Sequence, residues 1–503
     1  MNTSGLDSIS GPEDSILAGI ETEYGFTIEG RGPHEQVDDA TEFVKLHGFP
    51  CFLGWDYRFE SPRADLRGFN LERLAVDPVD AQFDAGRPSA PPHEVRADQV
   101  LTNGARFYND HGHPEYATPE CFSLRELVVH DKAGEMVLLK AGRALEAKLG
   151  KPVQVYKNNT DFHGSSYGTH ESYLVPREVG FEPLRDAVMP ILIARQVLTG
   201  AGKAGSETGQ PVPFQLSARA DFFVEPVNAE TLFKRPVFNT RDEAHADPAR
   251  WIRLHVISGD ANMIPTSTFL KVGLVKLAVM LAKKGHAPNW KIEDPVRAFQ
   301  SVSRDASLEF KIRLAGQSWT DAYQIFDDLF ARAEAHLVLD EELRDVIATS
   351  RMLINDLQGG QELARQRIDW LAKRSLLAMI VEDQNLSWSD PSLRSYDLDY
   401  HHIDPDISLY SALAEASEVE GPPATVEMVK RLTDVPERTR AFVRGLAVEK
   451  FGRSIHSVCW RSITFALGGQ LVELDLPPDR LYPENLAAIS DVEAFVSAVK
   501  LCL

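Results

Sequence analysis

Cysteine is scarce in this sequence, and the lack of paired cysteines limits the kind of protein that it encodes. The 503 residues include only four cysteines, Cys51, Cys121, Cys459 and Cys502, which lie far apart and form no C-x-x-C pair. A small secreted domain held by disulfides would be dense in cysteine. The cysteine usage therefore predicts reduced thiols in a cytosol.

Targeting and membrane-spanning segments are also missing. The opening residues, MNTSGLDSISGPEDS, contain neither the basic region nor the apolar region of a secretory signal. No apolar run approaches the roughly 20 residues that a membrane span needs. We therefore expect a soluble cytoplasmic protein with no membrane partner.

Positive charge is in short supply. Lysine and arginine number 53 against 74 aspartates and glutamates, which gives a formal net charge of −21. A field of this sign repels DNA, RNA and anionic lipid, and we find no local basic patch that offsets it. The charge is best interpreted as a source of solubility, and we expect no nucleic-acid partner.

What the chain does contain is ordinary globular material. Hydrophobic residues make up 43% and charged residues 25% of the sequence, which are the values of a folded chain. The length predicts roughly three domains, or one large domain with a small one. We expect a flexible tail at residues 1–15, a large domain at 16–424 with an irregular loop insertion at about 31–100, and a small C-terminal domain at 425–503.

Strand-rich and helix-rich blocks follow one another along the chain. Ile16–Gly30 and Leu101–Glu120 have the pattern of strands and turns. Helices are predicted from the Ser123 cap to Gly150 and over Thr266–Gly285. Because the two kinds of element segregate instead of alternating strictly, the predicted class is α+β, with helices packed against one side of a sheet. Further strands are expected in PVQVYKNN, SYGTHESYLV, QLSARADFFVEP, RPVFNT, WIRLHVISGD and HSVCWRSITFAL, and helices over about 320–385.

Three short motifs match known catalytic or binding patterns but lack the required context. GAGKAG (Gly200–Gly205) fits G-x-G-x-x-G, yet it follows a helix-like segment instead of a strand, which favours a flexible loop. GSSYG (Gly164–Gly168) fits the nucleophile elbow around Ser166, but a strand-like segment follows it where a helix is needed. HGHPE (His111–Glu115) offers zinc ligands without a partner motif, so a zinc amidohydrolase is a remote interpretation.

The unusual feature is the number of carboxylates and histidines within strand-like segments. Glu21 and Glu23 are two residues apart, so a strand directs both side chains to one face. A single charged residue in a strand normally lies on the face of the strand that is exposed to solvent. Several together are costly to bury unless cations or a metal pair with them. The other members of this set are Asp110, Glu115, His170, Glu171, Arg253 and His255.

The carboxylates among these side chains suit magnesium. Carboxylate oxygens are ligands that Mg²⁺ prefers, and Mg²⁺ in proteins commonly accompanies phosphate. Arg219, Arg241 and Arg253 would then bind phosphate through bidentate guanidinium contacts. The residues alone thus predict a Mg-nucleotide site on an open sheet, with a nucleophile or a base among the carboxylates. They do not indicate the substrate.

Longer motifs resemble one known family. GIETEYG (Gly19–Gly25), LTNGARFYNDHGHPEY (Leu101–Tyr116), SYGTHESY (Ser166–Tyr173) and RLHVISGDANM (Arg253–Met263) resemble the ligases and the deamidase/depupylases of the prokaryotic ubiquitin-like protein, Pup. KNNTD, RPVFNTRDEAHAD, DLDYHHIDPD and RTRAFVRG extend the resemblance over almost the whole chain. The resemblance implies the glutamine-synthetase-like carboxylate-amine ligase fold, with an open antiparallel sheet backed by helices and a small C-terminal domain.

The two branches of this family catalyse opposite reactions. The ligase branch uses ATP to join the C-terminal glutamate of Pup to a lysine, whereas the other branch hydrolyses that isopeptide bond or deamidates the C-terminal glutamine of Pup. Trp55–Pro78 and Val448–Trp460 resemble segments of the hydrolytic branch. The resemblance therefore implies a depupylase, an isopeptidase and amidase whose partners are Pup and Pup-modified proteins. An ATP-dependent Pup ligase and a non-catalytic Pup-binding homologue are the alternatives.

The resemblance also implies roles for individual residues. Asp110 matches the catalytic aspartate and would act as nucleophile or as general base. Bound Mg²⁺ and nucleotide, either ATP or ADP with phosphate, would stabilise the oxyanion formed at the attacked carbonyl without net nucleotide hydrolysis. The implied nucleotide contacts are Arg219, Arg241, Arg444 and Trp460, with Trp460 stacking on adenine. The implied metal-site residues are Glu21, Glu23, Tyr108, Glu115, His170 and His255.

Several positions depart from the family pattern. These are Ala218 in place of glutamine, Lys203 and Asp404 in place of arginine, Thr169 in place of cysteine, Ser172 in place of asparagine, and Asn109 in place of an apolar residue. An aspartate near a phosphate or Pup-carboxylate pocket would weaken binding there. We therefore hypothesise a divergent depupylase-like paralogue with altered nucleotide dependence.

Overall fold

A seven-stranded antiparallel sheet forms the centre of the protein. The computed structural model describes residues 9–10, 15–74, 96–162, 166–208, 211–436 and 438–502. In space the strands follow the order β7–β6–β1–β5–β4–β3–β2, and each neighbouring pair is antiparallel. In chain order they are β1 (Ala18–Glu23), β2 (Cys51–Leu53), β3 (Gln99–Leu101), β4 (Arg106–Asp110), β5 (His113–Ala117), β6 (Thr169–Pro176) and β7 (Trp251–Gly259).

Helices cover one face of this sheet. The two long helices predicted from sequence are present, the first with Ser123 accepting a hydrogen bond from the Glu126 backbone N–H and with Gly150 in the left-handed conformation (φ +66°). The named helices are α1 (Gln36–Lys45), α2 (Leu124–Leu149), α3 (Phe181–Ala194), α4 (Pro265–Lys283) and α5 (Arg440–Phe451). The other helices are Gln196–Thr199, Pro295–Ser303, Ala322–His336, Glu341–Leu357, Glu362–Arg367, Asp369–Asp383, Leu393–Tyr400, Leu409–Glu415, Thr425–Arg431 and Val492–Lys500.

The main hydrophobic core lies between the sheet and the helices. Alternate residues of the strands, such as Ile20 and Leu254, pack with Ile191 of α3 and Leu277 of α4. Helix α4 is long and apolar enough to cross a membrane by composition, but 89% of its most apolar window is buried inside the protein. It therefore packs as a core helix. The predicted class, α+β with an open antiparallel sheet backed by helices, is confirmed.

Shorter strand pairs surround the sheet. The predicted single strand over Ile16–Gly30 is divided at Tyr24 into β1 and Gly25–Ile28, which pairs with Val153–Tyr156. Gly200–Gly205 contains only the two-residue strand Lys203–Ala204, which confirms that it does not open a dinucleotide-binding helix. The remaining strands are Ala64–Asp65, Phe69–Asn70, Phe214–Gln215, Phe223–Asn228, Arg235–Asn239, Lys311–Arg313 and Trp319–Asp321.

The last part of the chain has its own apolar cluster. Helix α5 packs with the hairpins β8 (Ile455–Val458), β9 (Ser462–Leu467) and β10 (Gln470–Asp475), so the single short strand expected in HSVCWRSITFAL is two strands. Within the predicted N-terminal tail, Ile9–Ser10 pairs with Arg480–Leu481, and residues 1–8 and 11–14 lie outside the described residues. The boundaries at 15/16 and 424/425 stay predictions.

The expectation of irregular structure over 31–100 is wrong for Gln36–Lys45, which forms α1. Val37, Ala40 and Phe43 are buried at helical spacing, and the acidic residues between them obscured this pattern in the sequence. Residues 75–95 of the same segment lie outside the described residues.

Candidate active site

Acidic side chains gather on the face of the sheet that α2, α3 and α4 leave uncovered. Thr22 faces the helical layer, where its hydroxyl donates to Asp131 of α2 at 3.5 Å, so the flanking Glu21 and Glu23 face the other way. In the register of the sheet, His170 lies opposite Glu21 and Glu115 lies opposite Glu23. Residues that are directly paired across antiparallel strands share a face. The sheet itself therefore assembles this cluster from separate segments.

One group of possible metal ligands consists of Glu21, His170 and His255. The Oε1 atom of Glu21 lies 3.1 Å from His255 Nε2 and 3.5 Å from His170 Nδ1. Burial raises the pKa of Glu21, but hydrogen bonds with the two histidines outweigh this effect and hold the pKa well below its ordinary value. Burial and the nearby Arg253 lower the pKa of His255 to about 3, so its imidazole is neutral and able to bind a metal. A carboxylate with two neutral imidazoles is a suitable donor set for a divalent cation.

A second group consists of Glu23, Asp110 and Glu115, and their carboxylate oxygens lie within 4.8 Å of one another. Tyr108, opposite Glu115 in the sheet, donates to Glu115 Oε1 at 2.5 Å. Burial, followed by the charges of Glu21, Asp110 and Glu23, raises the pKa of Glu115 well above its ordinary value. Carboxylates that are crowded in this way need a cation to be ionised together. All six predicted metal-site residues therefore lie in one cluster.

Asp110 ends β4 at the tip of a tight hairpin. The two residues of the turn both have positive φ, +47° for His111 and +93° for Gly112, as in the turns that suit two-residue hairpins. Helix α1 supports the tip, because Gln36 donates to the Gly112 carbonyl at 3.0 Å and Asn109 donates to the Val37 carbonyl at 3.1 Å. This contact explains why position 109 carries an amide in place of an apolar side chain.

Two basic side chains approach one oxygen of Asp110. Arg96 Nη2 lies 3.3 Å and His111 Nε2 4.0 Å from Asp110 Oδ1. Burial raises the pKa of Asp110, but Arg96 and His111 outweigh it and lower the pKa. The carboxylate is thus ionised at neutral pH, 20% exposed and beside the candidate metal ligands. An ionised carboxylate in this position is competent as a nucleophile or as a base.

The predicted phosphate-binding arginines differ in their surroundings. Arg219 is buried and donates to the Ile257 carbonyl at 2.7 Å, to the Gly259 carbonyl at 3.0 Å and to Ser166 Oγ at 3.1 Å. Burial and the neighbouring Arg235 lower the pKa of Arg219 to about 10. Arg241 Nη2 donates to Thr231 Oγ1 at 3.0 Å, while its buried Nε has no partner among the described residues. The role of both arginines at a phosphate stays a prediction, and Arg241 has the larger unused hydrogen-bonding capacity.

Arg444 of α5 lies at the contact between α5 and the sheet. We call this contact the joint; in it Arg440 and Arg444 pair with Glu120. The guanidinium of Arg444 donates to both Glu120 oxygens, with which it forms a close ion pair, and to the Gly104 carbonyl at 2.9 Å. It also lies over the Trp460 ring, 4.8 Å from the centroid. Arg444 therefore positions Trp460 in this structure, and its predicted direct contact with nucleotide is untested.

Trp460 lines a cleft whose other walls come from β1, β6, β7 and α5. The rings of Trp460 and His245 are almost parallel, with centroids 6.1 Å apart. Glu21, Arg253 and Arg440 line the same cleft. An aromatic ring and charged side chains in one cleft suit a ligand with a flat base and a charged tail.

Sequence reasoning missed the residues around Arg106. This buried guanidinium lies 4.1 Å from the centroid of Trp55 and 4.0 Å from that of Tyr108, and it forms an ion pair with Asp98 at 2.6 Å. Trp55, the first residue of the segment Trp55–Pro78, and Asp98 are therefore both packed against β4. Contacts between segments that are distant in the sequence cannot be predicted from the spacing of the residues.

The alternative motifs are not assembled as catalytic sites. Ser166 Oγ donates to the Asn159 carbonyl at 3.2 Å and accepts a hydrogen bond from Arg219. Among the described residues, which do not include Ser165, no base lies beside Ser166. In HGHPE, only Glu115 belongs to a metal-competent group within the described residues. Glu171 is on the opposite face of β6 from His170, where it forms a bidentate ion pair with Arg195.

The departures from the family pattern lie mostly in local networks. Lys203 forms an ion pair with Asp221 at 2.9 Å. Asp404 pairs with the exposed Arg143 of α2 at 3.0 Å and has no contact with the acidic cluster among the described residues. Ser172 Oγ, in contrast, accepts from Arg253 at 3.3 Å and lies in the cleft. The expectation that Asp404 lies at a phosphate pocket is therefore not supported by its contacts.

Comparisons with known proteins identify relatives over nearly the full length. The family model described as Pup-ligase protein matches residues 16–464. The chain is 37% identical over 470 residues to a depupylase of Acidothermus cellulolyticus, with 90% of this chain and 92% of the relative covered. It is 36% identical over 503 residues to a Pup deamidase/depupylase of Mycobacterium tuberculosis, with 96% and 98% covered.

Solved structures of Pup ligases share the fold. The complex between Pup and its ligase PafA has a TM-score of 0.76 and 26% sequence identity, and the comparison covers 97% of this chain and 93% of that one. PafA in complex with ADP has a TM-score of 0.71 and 28% identity, with 86% and 96% covered.

Proposed function

Because this chain belongs to the Pup-ligase family, we propose that it is a depupylase, a hydrolase of the amide bond formed by the C-terminal residue of Pup. It cleaves the isopeptide bond between the C-terminal glutamate of Pup and a substrate lysine, and it deamidates Pup that ends in glutamine. The observation that carries the proposal is the ionised, partly exposed Asp110 beside the acidic cluster. The relatives named depupylase, which match almost end to end, favour hydrolysis over ligation.

In this reaction Asp110 attacks the amide carbonyl or removes a proton from the attacking water. The C–N bond breaks, the lysine amine or ammonia leaves with a proton, and one water molecule is consumed overall. Arg96 and His111 keep Asp110 ionised before the attack. The contacts of Asn109 and Gly112 with α1 hold its backbone in place.

The donor sets fit Mg²⁺ and a nucleotide. Glu23 and Glu115, with Tyr108 hydrogen-bonded to Glu115, would hold magnesium beside Asp110, and Glu21 with His170 and His255 would hold a second divalent cation. When bound, magnesium with ATP, or with ADP and phosphate, supplies positive charge close to the developing oxyanion. Trp460 would contact the base in the cleft. The soluble fold and the four unpaired thiols suit the cytoplasm, where we place the enzyme.

The experiment uses one lysine-linked Pup conjugate with Mg²⁺, with and without ATP. Wild type is compared with Asp110→Asn and with Asp404→Asn, which makes the same change of side chain outside the acidic cluster. We expect wild type and Asp404→Asn to release free Pup, and Asp110→Asn to release at least roughly 10³-fold less, as for loss of a catalytic group. Equal release by all three proteins would overturn the role of Asp110.

The same samples distinguish the ligase. If wild type releases no Pup but joins Pup ending in glutamate to a lysine when ATP is added, the chain is a ligase. If it binds Pup and does neither, it is a non-catalytic homologue.

A further inference from the structure

Arg96 follows the part of the insertion that lies outside the described residues and reaches the acidic cluster from its edge. Its Nη2 atom lies 3.3 Å from Asp110 Oδ1, and its side chain is 33% exposed. The guanidinium lies over two rings, 5.8 Å from the centroid of Tyr57 and 5.9 Å from that of Tyr108. The aromatic rings and Asp110 therefore fix the position of this cation at the opening of the site.

Arg96 differs from the other arginines in how its donors are used. Arg253 donates to the Glu243 carbonyl and to Ser172, and Arg219 donates to two backbone carbonyls and to Ser166. Among the described residues, Arg96 makes its polar contact with Asp110, through the Nη2 atom. Its Nε and Nη1 groups have no hydrogen-bond acceptor among the described residues, so they are available in this part of the structure to bind a second acceptor.

The proposed substrate brings such an acceptor. A C-terminal glutamate or glutamine whose side chain carries the scissile amide keeps its own α-carboxylate, only a few bonds from the attacked carbonyl. This carboxylate must approach a surface that already contains Glu21, Glu23, Asp110 and Glu115. Carboxylates at such distances repel one another unless a cation lies between them. A guanidinium offers five N–H donors and can serve two carboxylates at once.

We propose that Arg96 is the substrate-recognition residue that binds the free α-carboxylate beside the scissile amide. The inference rests on the proposed function, because the identity of the substrate supplies the second carboxylate. Arg96 remains next to Asp110 while its other N–H groups bind the substrate. Through this contact the enzyme selects an amide on a chain-terminal residue over the amide of an internal glutamine, which has no α-carboxylate.

The test compares two forms of Pup that end in glutamine. One has a free α-carboxylate, and the other has this group converted to a carboxamide, while the side-chain amide is the same. Affinities are measured by titration calorimetry and deamidation by steady-state kinetics for wild type, Arg96→Gln and Arg96→Lys. Arg143→Gln is the matched control, because Arg143 is 59% exposed and pairs with Asp404.

We expect wild type to bind the free-carboxylate form at least roughly tenfold more tightly than the carboxamide, as for one charge-assisted pair. Arg96→Gln should reduce this ratio to nearly one and raise KM for the free-carboxylate form more than it lowers kcat. Arg96→Lys should retain part of the ratio, and Arg143→Gln should retain all of it. The retained charge in Arg96→Lys also separates loss of recognition from loss of folding.

A wild-type ratio that survives in Arg96→Gln would overturn the inference, and so would an equal loss of affinity for both forms. Failure of the proposed function gives a different result: wild type then hydrolyses neither form and cleaves no conjugate. In that case the calorimetric ratio still decides whether Arg96 binds the carboxylate.

Discussion

Two buried glutamates only five residues apart on the chain have opposite properties. Glu115 faces Glu23 and Asp110, and burial with these like charges raises its pKa well above the ordinary value. Glu120 is also buried, but Arg444 and Arg440 outweigh this effect and lower its pKa to about 2. The charges that act most strongly on the first carboxylate are negative, whereas the second carboxylate is paired with two arginines.

The difference distinguishes charged residues that form a binding site from charged residues that stabilise the fold. The joint is complete within the protein, since Arg440 and Arg444 satisfy Glu120 and tie α5 to the end of β5. The acidic face is incomplete, because its carboxylates repel one another until a cation binds. Buried charges that are already paired therefore indicate structural support, and those that are crowded by their own kind indicate a binding site.

The largest expected effect tests the acidic face. Glu23→Gln removes one possible metal ligand and one repulsive charge. We expect hydrolysis of a Pup conjugate to fall on the order of 10³-fold, or about 4 kcal/mol of transition-state stabilisation, while the melting temperature stays the same or rises. Release of Pup and thermal melting of the same sample check both parts. A large drop in melting temperature would mean that Glu23 stabilises the fold.

The joint should give the reverse result. Glu120→Gln leaves two buried guanidinium groups without their carboxylate, so we expect the free energy of unfolding to fall by about 3 kcal/mol. Urea denaturation measures this change. The matched control is Glu309→Gln, because Glu309 is 58% exposed and its surface ion pair with Lys311 should leave the free energy of unfolding almost unchanged. Equal stability of the two variants would contradict the proposed joint.

In an acid titration, Glu115 and Glu120 should affect the free energy of unfolding in opposite directions. The pKa of Glu120 is lowered in the folded protein, so its contribution is full above its ordinary pKa near 4.5 and is lost as the pH falls towards about 2. The raised pKa of Glu115 has the opposite effect, because the folded state loses stability as the pH rises through and above the ordinary value. In metal-free buffer, Glu120→Gln should flatten the loss of stability in acid. Glu115→Gln should instead gain relative stability towards neutral pH.

The smallest expected effect concerns Asp404. Its pair with Arg143 lies at the surface, and such pairs contribute roughly 0–1 kcal/mol. Asp404→Arg should leave the apparent affinity for ATP unchanged within about twofold, and the stability within about 1 kcal/mol. Titration of nucleotide into both proteins checks this outcome. A clear gain in affinity would restore the hypothesis that this position lies at a phosphate or carboxylate pocket.

Local patterns predicted much of the fold. The caps at Ser123 and Gly150 bound α2 correctly, and the spacing of Glu21 and Glu23 placed both side chains on one face. These features depend on neighbours within a few residues. Helix α1 was missed because its short apolar stripe is interrupted by acids, and because the long segment around it contains turn-forming residues.

The site was predictable in composition but not in its connections. The six predicted metal-site residues lie close to Asp110, while their role at a metal stays a prediction. The connections of the site depend on packing between distant segments. Examples are the ion pair of Arg444 with Glu120, the hydrogen bonds of Arg219 to backbone carbonyls, and the contact of Arg96 with Asp110. An arginine in an irregular acidic segment has the same local pattern whether it contacts solvent or a catalytic carboxylate.

The hairpin tip at Asp110 has a consequence for how the chain can vary in length. Two residues, His111 and Gly112, close the turn, and α1 holds it through Gln36 and Val37. One additional residue in this turn would change the direction of the side chains on the strand that follows, and Glu115 would leave the acidic face. The two-residue length of this turn therefore keeps Asp110 and Glu115 in the register that places them together.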